Sequence, residues 1–361
     1  MIKKEISQKL AFSILGILAI SFGLFFLLYS FKKIKSYTFS EPILENKVNT
    51  FNPDDLEWKQ VTADIPWSAR DSHGVVVFQD KIWLMGGLNG NGFQDKNGNV
   101  LYWKVPHYSD VWSSKDGRDW QLVIKNAPWS KRRSIQAVVF KNKIWLVGGW
   151  GPGIGYSNNI WISENGINWE KIEPKGGLPS IEGHQLVVFD DKLWLIGGVR
   201  YDERKEKNYV WSSEDGINWT EIVENALWAP RWDHTVTVFK NKLWLIGGMN
   251  LNGEIYNDVW SSEDGKNWLL VIDNPPWPER QGHGSVVFQN KLWIIGRHDN
   301  KNNDVWYSEN GYDWKKTEKN PPWLGREDVG VLVFKDKIWI MGGMDANWVW
   351  NNDVWYSTFS L

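Results

Sequence analysis

A hairpin with two apolar arms recurs along the chain after residue 70. One copy, residues 236–248, reads VTVFKNKLWLIGG. Its arms show almost no polar alternation, which is typical of strands buried on both faces. The Asx-Lys turn between them suits a tight hairpin, because Asn and Asp tolerate a left-handed backbone. A hairpin that is apolar on both faces needs a neighbour on each side, so the pattern predicts a repeat protein.

A second motif recurs with the same period. Ser-[Glu/Lys]-[Asp/Asn]-Gly-x-[Asn/Asp]-Trp ends at Trp120, Trp169, Trp219, Trp268 and Trp314, every 46 to 50 residues. Asp-Gly or Asn-Gly between apolar runs is a strong hairpin signal, and this period is typical of propellers and repeat arrays. Each unit is therefore predicted to be a four-stranded antiparallel meander. Inner hairpins begin near Val75, Ala137, Leu186, Val236, Ser285 and Val331, which makes six units.

The ends of the repeat region predict a closed ring. The sixth unit stops at Leu361, where its Asp-Gly turn and outer strand are expected, and an unmatched strand at residues 56–61 precedes the first unit. Placed in the sixth unit, that strand removes an open sheet edge. An open solenoid needs atypical capping repeats at its ends, and none is seen in the sequence. We therefore predict an all-β, six-bladed β-propeller closed by its N-terminal strand.

The repeats resemble a known family. Gly-Gly pairs at 86/87, 148/149, 197/198, 247/248 and 342/343, each followed after a loop by a Trp, are similar to kelch repeats over about residues 56–361. Two features depart from the kelch pattern: Trp replaces the second-strand Tyr, and the fifth unit has Gly296-Arg297. The resemblance implies a kelch-type propeller of the galactose-oxidase-like superfamily, which contains both enzymes and binding modules.

The first 55 residues differ from the repeats. Residues 10–31 read LAFSILGILAISFGLFFLLYSF, an uncharged run long enough to cross a membrane core of about 30 Å as a helix. No small-residue cleavage site follows it, which favours an uncleaved anchor over a signal peptide. We predict a short tail (1–9), a transmembrane anchor (10–31), a linker (32–55) and the propeller (56–361). The propeller is expected on the extracytoplasmic side, although lysines on both sides of the anchor leave its orientation open.

The composition excludes some classes of partner and some classes of reaction. Lys+Arg 41 nearly balance Asp+Glu 43, and no long basic run occurs, so nucleic acid is not expected as a partner. The chain has no cysteine, which excludes disulfides, thiolate metal sites and a Cys nucleophile. It also excludes the copper oxidases that resemble galactose oxidase, because their crosslinked Tyr requires a Cys. No cofactor and no metal are predicted, and we expect a monomeric propeller.

The candidate site lies at one end of the blades. In a meander, the second-to-third loops and the blade connections share one end, and here those loops are long and unequal, which favours binding there. Two side-chain columns are expected at the channel mouth on this long-loop face: Arg70, Arg132, Arg231, Arg280 and Arg326, and three residues later His73, His184, His234 and His283. The columns fit either ordinary kelch architecture or an anion site of guanidinium groups.

Five tryptophans fall in loops outside the repeated columns: Trp103, Trp150, Trp232, Trp348 and Trp350. With the arginine and histidine columns they predict a non-enzymatic binding module for a glycan or a protein partner. The resemblance leaves an alternative open, a mutarotase or epimerase similar to sialic-acid mutarotases. In it Arg326 binds the carboxylate of an acidic sugar, and Glu327, Asp328 or Glu182 moves the proton. Asp71, Asp233 and Glu279 are further carboxylates near the arginines, as general bases or as salt-bridge partners.

Overall fold

The computed structural model describes residues 51–61, 64–297 and 303–359. Apart from one 3-10 turn at Pro53–Asp55, its regular elements are β-strands. In chain order they are β1 (Leu56–Gln60), β2 (Gly74–Phe78), β3 (Lys81–Met85), β4 (Val111–Ser114), β5 (Trp120–Ile124), β6 (Gln136–Phe140), β7 (Lys143–Val147), β8 (Trp150–Gly151), β9 (Gly155–Tyr156), β10 (Ile160–Ser163), β11 (Glu170–Ile172), β12 (Gln185–Phe189), β13 (Lys192–Arg200), β14 (Lys205–Ser213), β15 (Thr220–Val223), β16 (Thr235–Phe239), β17 (Lys242–Ile246), β18 (Val259–Ser262), β19 (Leu269–Ile272), β20 (Gly284–Phe288), β21 (Lys291–Ile295), β22 (Val305–Ser308), β23 (Trp314–Lys316), β24 (Arg326–Glu327), β25 (Gly330–Phe334), β26 (Lys337–Met341), β27 (Met344–Asp345) and β28 (Val354–Phe359).

The strands form six four-stranded antiparallel sheets, so the predicted all-β, six-bladed propeller is confirmed. Blades one to five each run in chain order, and the sixth has the order β1-β28-β26-β25. In it, β1 pairs with β28 from Leu56 opposite Phe359 to Gln60 opposite Trp355, which is the predicted closure by the N-terminal strand. Two small ribbons, β8-β9 and β24-β27, lie in the loops.

The compact unit begins at Phe51, five residues before the predicted start of the propeller. The anchor predicted at residues 10–31 lies outside the described residues and stays a prediction. Within the described residues, no helix has the length and apolar character that a membrane crossing requires.

Neighbouring blades meet through a tryptophan that packs on a glycine. The second-strand Trp of each blade donates its indole N–H to the Phe carbonyl five residues earlier, at 2.8 to 3.0 Å, which fixes the ring. The ring then lies against the glycine of the Asp-Gly or Asn-Gly turn of the next blade. A Cβ built on Gly216 would lie 2.1 Å from the Trp145 ring, so only glycine fits there. The five pairs are Gly117/Trp339, Gly166/Trp83, Gly216/Trp145, Gly265/Trp194 and Gly311/Trp244.

The turn that carries this glycine is fixed by its own polar side chains. In blade three, Ser213 Oγ accepts a hydrogen bond from the N–H of Gly216 at 2.8 Å. Asp215 Oδ1 accepts hydrogen bonds from the N–H groups of Ile217 and Asn218. Trp219 donates its indole N–H to the Gly216 carbonyl at 3.1 Å. The repeated motif therefore serves two purposes: it closes the hairpin and presents a bare glycine to the next blade.

Phe51 covers the sixth interface. Five of the six second-strand Trp residues pack on a turn glycine of the next blade. The remaining one is Trp293 of blade five, and the glycine that it would contact belongs to a sixth copy of the motif, which the sixth blade lacks. The Phe51 ring lies 6.0 Å from Trp293, 5.6 Å from Phe288 and 4.5 Å from Phe359, centroid to centroid, in edge-on arrangements. The N-terminal segment thus supplies both the last strand and an aromatic contact for the last unmatched Trp.

Replacing Gly216 by Ala should destabilise the propeller by more than the backbone strain of an alanine at a positive φ would explain. Gly253 serves as the control, since it has a similar positive φ of +81° against +76° but nothing within 4 Å of a built Cβ. The control variant should lose about 1–2 kcal/mol for the left-handed conformation. Gly216→Ala should lose about 1–3 kcal/mol more because its methyl overlaps Trp145. Equal free energies of unfolding in urea would contradict the proposed contact.

Candidate functional site

The arginine column lies inside the frame of the blades. Arg70 is fully buried, donates to the Gly86 carbonyl at 2.8 Å, and makes a two-pronged pair with Asp110 at 2.7 and 2.9 Å. Asp110 also accepts the indole N–H of Trp112 at 2.8 Å. Four of the five arginines pair in this way with the aspartate before the third strand: Asp110, Asp258, Asp304 and Asp353. Each such arginine ties a blade connection to the second and third strands of its own blade.

Two blades lack this arginine–aspartate pair. Blade three has Ile181 at the arginine position and Tyr209 at the aspartate position, and both side chains are buried. In blade two, Arg132 faces no aspartate and donates to Ser157 Oγ at 3.2 Å, and burial lowers its pKa to about 10. The pairing inside single blades accounts for the column without any ligand.

The histidine column is also internal. Burial lowers the pKa of His73, His184 and His234 to about 3, so these rings are neutral at ordinary pH. Each ring packs at the first glycine of the preceding blade's Gly-Gly pair, as His184 does at Gly148, where a Cβ would lie 2.4 Å from it. The four histidines line the inner wall of a central channel with a volume of about 220 Å³.

Backbone hydrogen bonds connect neighbouring blades around the channel mouth, at the level between these two columns. The residue two places after each arginine position has a positive φ of 50° to 64°, and the six are Ser72, Ser134, Gly183, Asp233, Gly282 and Asp328. Five of these six residues donate their backbone N–H to the carbonyl of the corresponding residue in the preceding blade, at 2.7 to 3.1 Å. These five bonds link the six blade connections in series into a rim around the channel mouth, with no such bond between Ser134 and Gly183.

A cup of about 420 Å³ sits on this rim, on the long-loop face. Its floor includes the residues one place after each arginine position, which vary among the blades with only Glu occurring twice: Asp71, Arg133, Glu182, Trp232, Gln281 and Glu327. Its walls come from the loops and include Tyr102, Trp103, Trp150, Tyr156 and Tyr201. We refer to these residues, with Asp233 and Asp328 of the rim, as the cup.

One side of the cup is acidic. Burial and the neighbouring Asp328 raise the pKa of Glu327 to about 8, although Gln281 donates to its Oε2 at 2.9 Å. Burial and the same acidic neighbours raise the pKa values of Asp71 and Asp233 well above their usual range. Ser72 Oγ donates to Asp328 Oδ2 at 2.7 Å. The pKa values rise because the carboxyl groups lie close together and away from water, which makes the ionised form of each one costly.

The other side is aromatic and contains a caged cation. Arg133 makes a two-pronged pair with Glu182 at 2.9 and 3.1 Å. Its guanidinium lies 4.9 Å from the ring centre of Tyr102 and 4.9 Å from that of Trp150. Burial works against this charge, but Glu182 outweighs it and raises the pKa of Arg133. Cation–π contact and a paired carboxylate together stabilise a cation here.

The other predicted site residues fall in three places. Trp103, Trp150 and Trp232 line the cup with Glu182, Glu327 and Asp328. Trp350 is only 2% exposed, in a small core with Leu88, Val100, Val105 and Met344 under the first long loop. Trp348 is exposed but outside the cup, as is Glu279. Sequence reasoning missed Arg133 and the three tyrosines of the walls, although Arg133 is adjacent to the arginine column.

The comparisons with known proteins agree with this geometry. A family model described as the KLHDC2/KLHL20/DRC7 Kelch-repeats domain matches residues 183–360. These findings support a kelch-repeat propeller. No curated protein matches the chain. In the described part of the propeller, no three His, Asp or Glu side chains converge closely enough to hold a metal ion.

Breaking one buried arginine–aspartate pair should destabilise the propeller strongly, and changing both partners to the residues of blade three should reduce that loss. Arg231→Ile or Asp258→Tyr alone should lose about 3–5 kcal/mol, because the remaining partner stays charged and buried. The double variant reproduces the Ile181 and Tyr209 of blade three, so it should lose less than the sum. Arg200→Ala, which breaks the exposed pair with Asp202, should cost about 1 kcal/mol or less. Single-variant losses no larger than that of Arg200→Ala, measured by urea unfolding, would contradict the structural role.

Glu327→Gln should make the stability of the propeller less dependent on pH. The pKa of Glu327 is about 8 in the fold, against about 4.3 when unfolded, so the folded state holds the proton more tightly. Its stabilisation is complete below about pH 4 and is lost as the pH rises through about 8. The variant should therefore melt above the wild type at pH 9, by at least ~2 °C for each ~1 kcal/mol relieved. Glu279→Gln, at an exposed position, should follow the wild type, and a Glu327→Gln curve parallel to the wild type would contradict the raised pKa.

Proposed function

We propose that this protein is a non-enzymatic binding module that holds a protein partner against the cup on its long-loop face. Kelch propellers are generic protein-interaction modules, and the kelch-like repeats support this general function here. We propose the cup as the site of that interaction on this chain.

The observation that carries the proposal is the break in the repeat at the cup. Columns that every blade needs for its own packing are nearly uniform, as with the arginines and the second-strand tryptophans. The floor of the cup instead has five different residue types in six blades, and its walls come from loops of unequal length. A rigid frame that presents dissimilar loop side chains around one concavity is typical of a binding site.

The size and exposure of the aromatic residues favour a partner that inserts side chains. Trp103 is 68% exposed at the edge of the cup, and large aromatic rings supply much of the energy of protein interfaces. Tyr201 packs edge-on against Trp232, with ring centroids 5.4 Å apart, which holds both rings in place before binding. The same rings also suit the apolar face of a sugar, so a glycan is the competing ligand in the test.

The geometry gives little support to a mutarotase for acidic sugars. Arg326 is buried, donates to the Gly342 carbonyl at 3.0 Å and pairs with Asp353, so it is engaged within its own blade. Glu327, Asp328 and Glu182 do face the cup, but with Asp71 and Asp233 they make it acidic. An anionic substrate would meet like charges there, and Arg133 is already paired with Glu182.

Matched surface variants test the proposed face. Trp103→Ala on the long-loop face should lose binding to a partner captured by the full-length protein, by about 2 kcal/mol or roughly 30-fold in the dissociation constant. Tyr312→Ala, which is 48% exposed in the Asn-Gly turn of blade five on the opposite face, should leave it unchanged. Partners are identified by protein cross-linking and, in parallel, by a glycan array. Binding lost in Tyr312→Ala and kept in Trp103→Ala would overturn the chosen face, and a glycan that alone depends on Trp103 would replace the protein partner.

A further inference from the structure

We propose that the cup selects a cationic group, a lysine or arginine side chain that the partner inserts between the acidic and aromatic sides. This inference rests on the binding function proposed above and names the chemistry that the cup recognises.

The charge balance of the cup is the first argument. Its described lining contains five carboxyl groups, from Asp71, Glu182, Asp233, Glu327 and Asp328, and one cationic side chain, Arg133. Because Arg133 pairs with Glu182, no cationic side chain of the described lining is left for Asp71, Asp233 and Asp328. Like charges gathered away from water raise the cost of each ionised group. A cation that enters the cup relieves this repulsion, whereas a neutral or anionic ligand does not.

An unsatisfied buried carboxylate oxygen is the second argument. Asp71 is 5% exposed, and its Oδ1 has no hydrogen-bond partner of normal geometry among the described residues. The Trp350 indole lies near enough to favour the charged form, but its own N–H is likewise without a partner. Buried polar atoms are normally hydrogen-bonded, and an exception at a cavity indicates a group supplied from outside. A donor with several N–H bonds, such as an ammonium or a guanidinium, matches that need.

The protein's own Arg133 is the third argument, because it shows how the cup holds a cation. Its guanidinium lies between two aromatic rings and pairs with a carboxylate. The region around Asp233 offers the same two components, because the edge-on pair of Tyr201 and Trp232 supplies aromatic surface and Asp233 supplies a carboxyl group near Tyr201. A lysine or arginine side chain there would repeat the arrangement of Arg133.

The size of the cup favours a side chain over a bare ion. A volume of about 420 Å³ exceeds what one metal ion requires, and no described trio of His, Asp or Glu has ligand geometry. A free polyamine shares the ammonium chemistry of lysine, so the experiment must separate the two sources.

Calorimetry with small probes tests the charge preference directly. The probes are Nα-acetyl-lysine amide, its arginine counterpart, and Nα-acetyl-norleucine amide, which has nearly the same shape as lysine without the charge. The full-length protein should bind the lysine or the arginine probe at least tenfold more tightly than norleucine. Spermidine is the free-amine arm, and it should bind no more tightly than an Ala-Lys-Ala peptide.

Two charge-removing variants and one control identify the cup as the site. Asp71→Asn and Glu327→Gln keep the shape of the side chains and should each weaken the cationic probe at least fivefold. Glu279→Gln removes an exposed carboxylate on a neighbouring blade connection and should change nothing. Thermal unfolding of each variant at pH 8 should show a folded protein, since the changes replace buried carboxyl groups by neutral amides.

Each outcome decides the proposal. Equal binding of norleucine and lysine, no binding of either cation, or unchanged binding in both variants would overturn the cation preference. Spermidine that binds more tightly than the peptide would reject a partner side chain as the source. If Trp103→Ala still abolishes capture of a partner while the cationic probes fail, the proposed function stands and only this inference falls. If the probes bind as expected but partner capture is insensitive to Trp103→Ala, the proposed function fails instead.

Discussion

The contact of a tryptophan ring with a bare glycine between blades is the constraint on which the rest of the structure depends. Each blade supplies the ring from its second strand and receives its neighbour's ring on its outer turn. The indole N–H bond to the Phe carbonyl fixes the ring, and the Ser and Asx side chains fix the turn. Because five such contacts run around the circle in one direction, a missing sixth needs a substitute. Phe51 provides it, which explains why the chain before β1 packs against the propeller.

Repetition made the frame predictable from the sequence. The number of blades, the closing strand and the tryptophan columns all follow from regular spacing, because a repeat must satisfy the same packing six times. The arginine and histidine columns were placed at the channel mouth by the same reasoning, but their depth could not be inferred. The aspartate partner of Arg70 lies 40 residues later and that of Arg231 lies 27 residues later, so the pairs are visible only in the fold.

The cup was harder to predict because it breaks the repeat. A residue that binds a ligand need occur once, so no spacing reveals it, and Tyr102, Tyr156 and Tyr201 have no counterparts in the other blades. One signal was available. The two positions between the arginine and histidine columns are the ones that differ from blade to blade, from Asp71-Ser72 to Glu327-Asp328. In a repeat protein, uniform columns indicate the frame, and a variable position enclosed by uniform ones indicates the site.

The rigid frame and the unfavourable electrostatics of the cup belong to one account. Buried carboxyl groups with raised pKa values cost stability at neutral pH, and the backbone hydrogen bonds that link the blade connections help to offset that cost. The most direct measurement replaces four carboxyl groups of the cup together, as Asp71→Asn, Asp233→Asn, Glu327→Gln and Asp328→Asn, and follows thermal unfolding and partner capture at pH 8 in the same preparation. The account predicts an unfolding midpoint at or above that of the wild type, with capture lost. A lowered midpoint with capture intact would contradict it, because these residues would then belong to the frame and not to the site.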